Sequence, residues 1–456
     1  MVILTESLPF IREYIDELNV QIKKLNTSSS LSKLQCVWLR FVLFGLLITN
    51  SLCWDRFERA GLGKYRASAL CWMFRKGKIA WELLLQASVC HIIKSYGIKS
   101  VELVVDDTDN ERSKSTTEIA KVHKIKDKRT GGFFKGQNIV FLLLVSNELT
   151  IPVGFKFYEP DPAQREWRIQ NDRLLKKGVS KKYRPQKPNR NPDYPDKKTL
   201  ALILIKEFKS YYPDIKIKAV VADAFYGKSG FITKVIELTN IQVISQISKT
   251  QLINVNGRNV SAKDFFDNYQ GKTQEILLRN NLKKVTYCSG RFKVKSHNRK
   301  YYIIALKYEG EAEYRYLIAS NMTWNDVDII KAYAKRWLVE VFIQDWKSYE
   351  GWSNLAKQRG FIGSDRGLTL SLLCDHMLHL HNSQTISFNN KEQALTVGSL
   401  REKILIEALM AFIEKIVKSD NPQTLITDLT NKISNLFKAR LSTQGLRMKN
   451  FIYIIK

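Results

Sequence analysis

The sequence predicts an α/β (α+β) protein in which a mixed sheet is flanked by helical N- and C-terminal regions. Up to about residue 95, apolar residues recur at three- and four-residue intervals, the spacing of amphipathic helices. From about residue 100, short runs rich in β-branched residues alternate with polar turns and one helical stretch, which favours a mixed sheet. With 456 residues and 44% hydrophobic content, the chain is long enough for two or three globular domains.

The charge of the chain indicates a polyanionic partner. Lys and Arg number 73 against 44 Asp and Glu, a formal net charge of +29. Such a protein binds polyanions by neutralising phosphates and releasing their counterions. The cations are spread along the chain among nine Trp, 19 Tyr and 22 Phe residues, which favours nucleic acid. A membrane partner is not expected because no stretch combines wide apolar and lysine-rich faces, and a basic surface serving only solubility is the alternative.

The N-terminal residues and the cysteines predict a cytoplasmic protein. "MVILTESLPFIREYIDEL" carries acids where a signal peptide has a basic region. The most apolar stretch, residues 41–48, is far shorter than the roughly 20 residues that cross a bilayer and predicts a core helix. The six cysteines lack C-x-x-C spacing, so we expect reduced thiols. "CDHMLHLH", residues 374–381, lies in a helical apolar pattern, which favours a buried helix over a metal site.

Residues 1–97 form the first predicted domain, a helical DNA-binding domain. Within it, residues 57–85 give a helix, a glycine-rich turn and a second helix, a pattern that fits a helix-turn-helix unit. Its basic residues are Lys64, Arg66, Arg75, Lys76 and Lys78. An ordinary pair of packed helices has the same pattern, so both alternatives stay open.

The next part of the chain predicts the sheet. The strand-like runs are residues 101–107, 139–147, 151–160 and 217–227. A helical run over 198–212 precedes the last of them, and a second strand-rich block spans about 248–320. The latter part of residues 164–198 is rich in Pro, Lys and Arg and predicts a loop. That loop either contacts a phosphate backbone or is a disordered basic insertion.

Polar residues share one side of a helix predicted over residues 333–347, "YAKRWLVEVFIQDWK". At about 100° per residue, they fall within a narrow stripe at roughly 0°, 300°, 340° and 320°, in the order Tyr333, Arg336, Glu340 and Lys347. The apolar residues expected on the far side are Leu338, Val341, Phe342 and Trp346. An acid flanked by two cations and a phenol suits phosphate and metal, whereas an ordinary amphipathic helix with an exposed Glu is the alternative.

Acids end two of the predicted strands. Asp106, Asp107 and Asp109 follow the first run, and Asp223 follows the fourth. Ligands of open α/β sheets bind at the carboxyl ends of the strands. Together with Glu340, these acids would supply the oxygen ligands that Mg²⁺ prefers. Two such ions would stabilise the attacking and leaving oxygens of a phosphoryl displacement.

The motifs "DDT", "VVADAFYG" and Y-x2-R-x3-E-x6-K together resemble those of the DDE transposases of bacterial insertion sequences. The matching group is the insertion sequence type 4 family, whose Y-R-E-K signature is present at every position. The resemblance spans about residues 100–385, with 248–320 in the place of the family's β-rich insertion. It implies an RNase H-like catalytic domain over 98–385 and a helical region over 386–456. The implied activity is DNA transposition, in which the element's ends are cleaved and joined to target DNA.

The resemblance also assigns the catalytic and metal-binding residues. Asp107, the acid directly before Thr108, becomes the first ligand, with Asp106 as the alternative because the doublet is ambiguous. Asp223 and Glu340 become the second and third. Two Mg²⁺ ions, with Mn²⁺ as a substitute, are the implied cofactors.

The implied partner is double-stranded DNA, namely the terminal inverted repeats of the element and the target. Charge-assisted bonds to phosphate suit Arg336 and Lys347, and Tyr333 would lie beside them. Tyr316 or Trp324 would stack a base flipped out near the cut. A homodimer is expected in the DNA complex, with its contact in the C-terminal helices, and the location would be the bacterial cytoplasm at the nucleoid.

Two other functions fit the same residues. A DDE-type nuclease would cut DNA without strand transfer and would share the metal site. A catalytically inactive transposase descendant would bind DNA only, although the intact acids and polar stripe argue against it.

Overall fold

The computed structural model describes residues 8–112, 118–127, 129–278, 281–352 and 358–436. The α-helices in this part of the chain are α1 (Pro9–Leu25), α2 (Lys33–Thr49), α3 (Trp54–Ala60), α4 (Ala67–Lys76), α5 (Trp81–Ser95), α6 (Pro162–Lys176), α7 (Lys197–Tyr211), α8 (Ser229–Thr239), α9 (Ala262–Phe266), α10 (Asp326–Ala334), α11 (Trp337–Tyr349), α12 (Gly360–His379), α13 (Asn382–Asn389), α14 (Val397–Val417) and α15 (Pro422–Leu436). The strands are β1 (Ser100–Glu111), β2 (His123–Lys126), β3 (Phe133–Val145), β4 (Thr150–Tyr158), β5 (Lys216–Ala222), β6 (Gln242–Ile247), β7 (Leu252–Val255), β8 (Arg258–Ser261), β9 (Lys272–Leu278), β10 (Asn281–Val294), β11 (Arg299–Tyr308) and β12 (Arg315–Ala319).

These strands form one mixed sheet. Along one half the order is β4, β3, β1, β5 and β6, with antiparallel pairs up to β1 and parallel pairs from β1 to β6. Three antiparallel strands followed by two parallel ones, with helices α7 and α8 in the crossovers, is the RNase H-like topology. The predicted α/β fold class, with its mixed sheet and helical flanks, is confirmed.

The strand-rich block predicted over 248–320 contains β7 to β12. It extends the same sheet, because β12 pairs antiparallel with β6 and β11 pairs with β12. The remaining strands continue through β10 to β7 and β8, while β9 pairs with β10. The insertion is therefore continuous with the backbone hydrogen bonding of the core.

The two faces of the sheet bury different residues of β1, as the alternation of side chains in a strand requires. Val101, Leu103 and Val105 pack in the hydrophobic cluster that also contains residues of α5, α7 and α8. Val104 packs on the opposite face, in the cluster that contains residues of α10 and α11. This alternation decides which helices each acid at the end of β1 can meet.

The N-terminal helices form a hydrophobic cluster with helices from the C-terminal part of the chain. Residues of α1 to α5 pack there against α12 and α14, while Leu368 and Leu372 of α12 pack on the sheet. The predicted borders at 97 and 385 stay predictions, since α12 contacts both the sheet and the helical cluster. Of the described helices, none alone is long and apolar enough to cross a membrane, although α2 and α3, bent by 91° at their junction, pass that test when joined.

The stretch "CDHMLHLH" lies at the buried end of α12, as the apolar pattern predicts. Cys374 and His376 are fully buried. The His376 ring contacts the Ser88 hydroxyl and the Pro152 carbonyl oxygen, both at 2.8 Å. Burial lowers the pKa of His376 to about 3, so the ring is neutral. These contacts make His376 a packing residue.

A buried carboxyl pair joins α11 to α12. Glu350 follows the end of α11 and is fully buried, and Asp375 of α12 is 4% exposed. Burial raises the pKa of Glu350 well above its usual range, and the nearby Asp375 raises it further. The pKa of Asp375 is also raised, chiefly by burial. The pair therefore holds a proton in the folded state.

We expect Glu350→Gln to make stability less dependent on pH. A raised pKa stabilises the folded state below the unfolded carboxyl pKa of about 4.3, and this stability is lost as pH rises towards the folded pKa. The amide of the variant carries its hydrogen at every pH. The free energy of unfolding should therefore fall less steeply with pH, by up to about 1.4 kcal/mol per pH unit. Urea unfolding between pH 5 and 8 measures the slope, with Glu402→Gln on the exposed side of α14 as control. Equal slopes in both variants would contradict the shared proton.

Candidate active site

Asp106 and Asp223 lie side by side at the end of the parallel strand pair. The pairing of β1 with β5 ends at Val105 and Ala222, and each acid directly follows one of these two residues in the sequence. The Asp223 side chain accepts a 3.0 Å hydrogen bond from the Phe225 amide, which fixes the turn after β5. A Cβ on Gly227 would lie 2.2 Å from the Gln246 carbonyl oxygen, so only glycine lets this turn approach β6.

Asp106 and Asp107 point to opposite faces of the sheet. Asp106 is on the face of α11, where its Oδ2 accepts a hydrogen bond from Arg336 Nη1 at 3.1 Å. Asp107 is on the other face and accepts from Lys197 Nζ at 2.7 Å and Asn138 Nδ2 at 3.1 Å. The geometry thus brings Asp106, the alternative of the doublet, towards the predicted polar stripe and turns Asp107 away from it.

The acids at this edge disfavour one another's ionised forms. Burial raises the pKa of Asp106 to about 6, and the charge of Asp223 contributes to this rise. A hydrogen bond from the Asp107 amide acts in the other direction and lowers the pKa. Burial and the charge of Asp107 raise the pKa of Asp223. A divalent cation would relieve this repulsion, and carboxylates are the ligands of Mg²⁺. The donor set therefore fits the predicted metal.

The helix predicted over residues 333–347 is two helices in the structure. α10 ends at Ala334 and α11 begins at Trp337. At the junction the Arg336 amide donates to the Tyr333 carbonyl at 3.0 Å, a bond to the third residue back that tightens the turn. The prediction of a single helix is wrong at this point, and Tyr333 belongs to α10.

The polar stripe nevertheless faces the end of the sheet. Arg336 Nη2 donates to Glu340 Oε1 at 2.6 Å while Nη1 reaches Asp106, so the guanidinium bridges the two acids. Lys347 Nζ donates to Thr108 Oγ1 at 2.8 Å and to the Asp109 carbonyl at 2.7 Å. The Glu340 side chain is 44% exposed. Among the described residues, no three acidic, His or Cys side chains are already grouped around a metal position.

The remaining residues of the stripe and its far side are placed as follows. Tyr333 donates from its hydroxyl to Gln246 Oε1 at 3.1 Å. Phe342 and Trp346 are buried as predicted, but Val341 is 37% exposed, and Val339 is fully buried instead. At about 100° per residue Val341 lies at the edge of the apolar side, whereas Val339 lies beside Phe342 and Trp346.

The two aromatic residues predicted to stack a base are not equally accessible. Tyr316 is 3% exposed in β12, packs near Phe266 and forms part of the wall of a cavity. Trp324 lies half-buried in the turn before α10. Phe225, directly after the turn residue Ala224, is 47% exposed and was not singled out by sequence. Its position beside Asp223 makes it the aromatic residue best placed for stacking.

A cavity of about 760 Å³ opens beside Asp223. It is bounded by the turn after β5, the end of β6 and the segment before β12, and its lining includes Phe225, Lys228, Lys249, Tyr314 and Arg315. Lysine and arginine beside aromatic rings suit a nucleotide. No signal in the sequence links these residues, which are separated by up to 90 positions.

Part of the sequence matches a known protein family, and the structure is similar to solved structures. Residues 69–264 match the model of the family described as DDE superfamily endonuclease. No curated protein matches the chain. The chain is similar to the cryo-EM structure of piggyBac transposase in a synaptic complex with hairpin DNA (11% identity, TM-score 0.41), over 98% of this chain and 87% of that one. It is also similar to the crystal structure of the NurA nuclease from Sulfolobus solfataricus (9% identity, TM-score 0.21), over 52% and 72%.

The match covers 196 of the 456 residues, and over that range the chain is similar to the DDE superfamily endonucleases. Its range includes both strand-end acids and ends before Glu340. The narrower assignment to the insertion sequence type 4 family, with its Y-R-E-K signature, stays a prediction, as do the roles of the individual site residues.

We expect Arg336→Gln to tighten Mn²⁺ binding to the DNA-free protein by about an order of magnitude. The guanidinium carries its charge between Asp106 and Glu340, and removing roughly 1.4 kcal/mol of repulsion towards a cation gives that factor. Calorimetry at pH 7.5, above the Asp106 pKa of about 6, measures the affinity. Lys331→Gln, an exposed charge on α10, is the control. Unchanged or weaker binding in Arg336→Gln alone would contradict a competing guanidinium.

Proposed function

We propose that the protein is a transposase that cleaves the ends of an insertion sequence and joins the freed 3′-hydroxyl to target DNA. The observation that carries the proposal is the meeting of strand-end acids with a helix-borne one. Asp106 lies within β1, directly after the last residue paired with β5, and Asp223 directly follows β5. Arg336 connects Asp106 to Glu340 on α11. The first two acids lie within the region that matches the DDE superfamily endonuclease model.

Asp106, Asp223 and Glu340 are the proposed metal ligands. The family resemblance assigned Asp107 with Asp106 as the alternative, and we prefer Asp106 because it lies on the face of the sheet that α11 covers. Two Mg²⁺ ions, or Mn²⁺ in their place, would activate the attacking water or 3′-hydroxyl and offset charge on the leaving oxygen. Asp107 would act indirectly, because its contacts with Lys197 and Asn138 hold the end of β1 in place.

Arg336 would exchange partners when DNA binds. In the absence of DNA its guanidinium occupies the space between Asp106 and Glu340. A phosphate also offers two acceptor oxygens, so the guanidinium can turn to it and still form two hydrogen bonds. Lys347 and Tyr333 lie along the same side of α10 and α11 and would contact the backbone next to the cut. Phe225 would stack an exposed base.

We expect variants of these acids to lose cleavage activity to different extents. Asp106→Asn, Asp223→Asn and Glu340→Gln should each abolish Mg²⁺-dependent cutting and joining, while Asp107→Asn should lose only about 10- to 100-fold, as expected for a residue that supports a ligand. The substrate is a duplex carrying the DNA that flanks the coding gene, and products are resolved on denaturing gels. Equilibrium binding of the same duplex is the control, and all four variants should retain it.

Each other outcome supports a different function. Cutting without joined product, in the presence of target DNA, would favour a DDE-type nuclease. Binding without cutting by the wild type would favour a catalytically inactive descendant. If Asp107→Asn were the inactive variant and Asp106→Asn the partly active one, the assignment of the first ligand would be overturned.

A homodimer is part of the proposal, since two element ends must be held together. The outer side of α14 carries apolar residues at helical spacing, 42 to 70% exposed. They are Ile406, Leu409, Met410, Ile413 and Val417. A second copy of the chain would cover this stripe. The complex would assemble in the bacterial cytoplasm at the nucleoid, with no membrane partner.

We expect the double variant Ile406→Glu, Val417→Glu to lose the complex that contains two duplexes while still binding one. Introduced acids oppose burial of the stripe between two copies. Light scattering of the protein with the flanking duplex measures the mass of the complex. Ile203→Glu with Tyr211→Glu, at exposed positions of α7, is the matched control. A two-duplex complex that survives the α14 change would place the dimer contact elsewhere.

A further inference from the structure

The segment between β4 and α7, residues 162–195, forms a basic arm. It contains ten Lys and Arg against three Asp and Glu, so 34 residues carry seven of the 29 net positive charges of the chain. None of the ten cations is in a salt bridge within the described residues. The arm therefore carries a denser positive charge than the chain as a whole.

The arm is an ordered unit in which α6 pairs with an extended return segment. Four hydrogen bonds connect the two in nested order. The Asn191 amide donates to Asp161, and Arg184 donates to Asn171. Between them, Gln164 donates to the Pro188 carbonyl and Trp167 to the Pro185 carbonyl. The prolines at 185, 188, 192 and 195 stiffen the return segment. An arm held in this way loses little conformational entropy when it binds a ligand.

Core packing does not explain α6. Of its 15 residues only Gln164 is buried. The residues that bond the return segment, Gln164, Trp167 and Asn171, share one side of the helix at about 100° per residue. The opposite side carries three cations and one acid, and a further cation and acid lie at its edge: Arg165, Arg173 and Lys176 with Glu166, then Arg168 and Asp172. The helix therefore turns a cationic side to solvent.

The arm begins and ends beside the acids of the active site. Before it, Tyr158 of β4 pairs with Asn138, which in turn pairs with Asp109 of β1. After it, Asp196 caps α7, and the next residue, Lys197, bonds Asp107 at 2.7 Å. Both ends of the arm are therefore connected to β1 within three residues of Asp106, with Lys197 on the face of the sheet opposite to Asp106. At 1.5 Å per residue α6 is about 22 Å long, the length of roughly six base pairs.

We propose that this arm is a sequence-independent binding surface for the phosphate backbone of duplex DNA on one side of the cut. The inference rests on the proposed function for the position of the cut. The cationic side of α6 and the lysines of the return segment contact phosphates, and the arm thereby sets the position of the duplex over the acids.

The test compares two full-length variants with the same reduction in charge. The arm variant changes Arg165, Arg168, Arg173 and Lys176 to Gln, a good helix former. The control changes four exposed lysines, Lys99, Lys206, Lys209 and Lys216, which lie at the opposite ends of α7, β1 and β5. Circular dichroism and thermal unfolding check that both fold. Binding of the gene-flanking duplex is measured without Mg²⁺ at several salt concentrations, and hydroxyl-radical footprinting reports which backbone positions are protected.

We expect the slope of log K against log salt to fall, in the arm variant only, by up to about 0.9 for each phosphate that the arm no longer neutralises. Backbone protection should disappear over roughly six base pairs on one side of the cut. Equal slopes and footprints for the two variants, with tight binding by the wild type, would overturn the proposal and make an acidic protein the next partner to test. Cleavage is measured separately with Mg²⁺. If the wild type does not cleave but its salt slope depends on the arm, the proposed transposase function is refuted and the arm remains a DNA-binding surface.

Discussion

The register of β1 against its neighbours is the constraint on which the site depends. Parallel pairing with β5 ends at Val105 and Ala222, which makes an acid the next residue of both strands. Because side chains alternate, a shift of one residue would exchange Asp106 and Asp107 between the two faces of the sheet. In the observed register Val104 packs towards α10 and α11, whereas Leu103, on the other face, packs towards α5, α7 and α8. The packing of the core thus selects which carboxylate meets α11.

The crowded acids require compensating charge, and the chain supplies it differently on each face. On one face Arg336 divides its fork between Asp106 and Glu340, so it can release one acid while keeping the other. On the other face Lys197 places a single charge 2.7 Å from Asp107, next to the rings of Tyr158 and Phe225. Lys197 and Arg336 are similarly exposed, at 22% and 23%, so the two cations differ in the number of acids that each one binds. The face with the exchangeable cation is the one suited to a metal.

Local patterns in the sequence predicted the strands, the acids at their ends and the polar stripe, because hydrophobic periodicity reflects burial directly. They could not choose between Asp106 and Asp107, since that choice depends on pairing with a strand more than 100 residues away. The break between α10 and α11 was missed because neither proline nor glycine marks it. The burial of Tyr316 could not be predicted, because it follows from the pairing of β12 in the sheet that the insertion extends. Lys197 was missed because no spacing connects it to Asp107.

The position of Glu340 depends on both structural regions of the chain. In its last turn α11 is tied to β1 through Lys347, whose ammonium bonds Thr108 and the Asp109 carbonyl. Beyond its end, the Glu350 carbonyl accepts a 2.7 Å bond from Ser371 of α12, a helix that packs among the N-terminal helices. α11 cannot move relative to the sheet without breaking the first contact, or relative to the helical cluster without breaking the second. Glu340 is therefore positioned by the sheet and the helical cluster together.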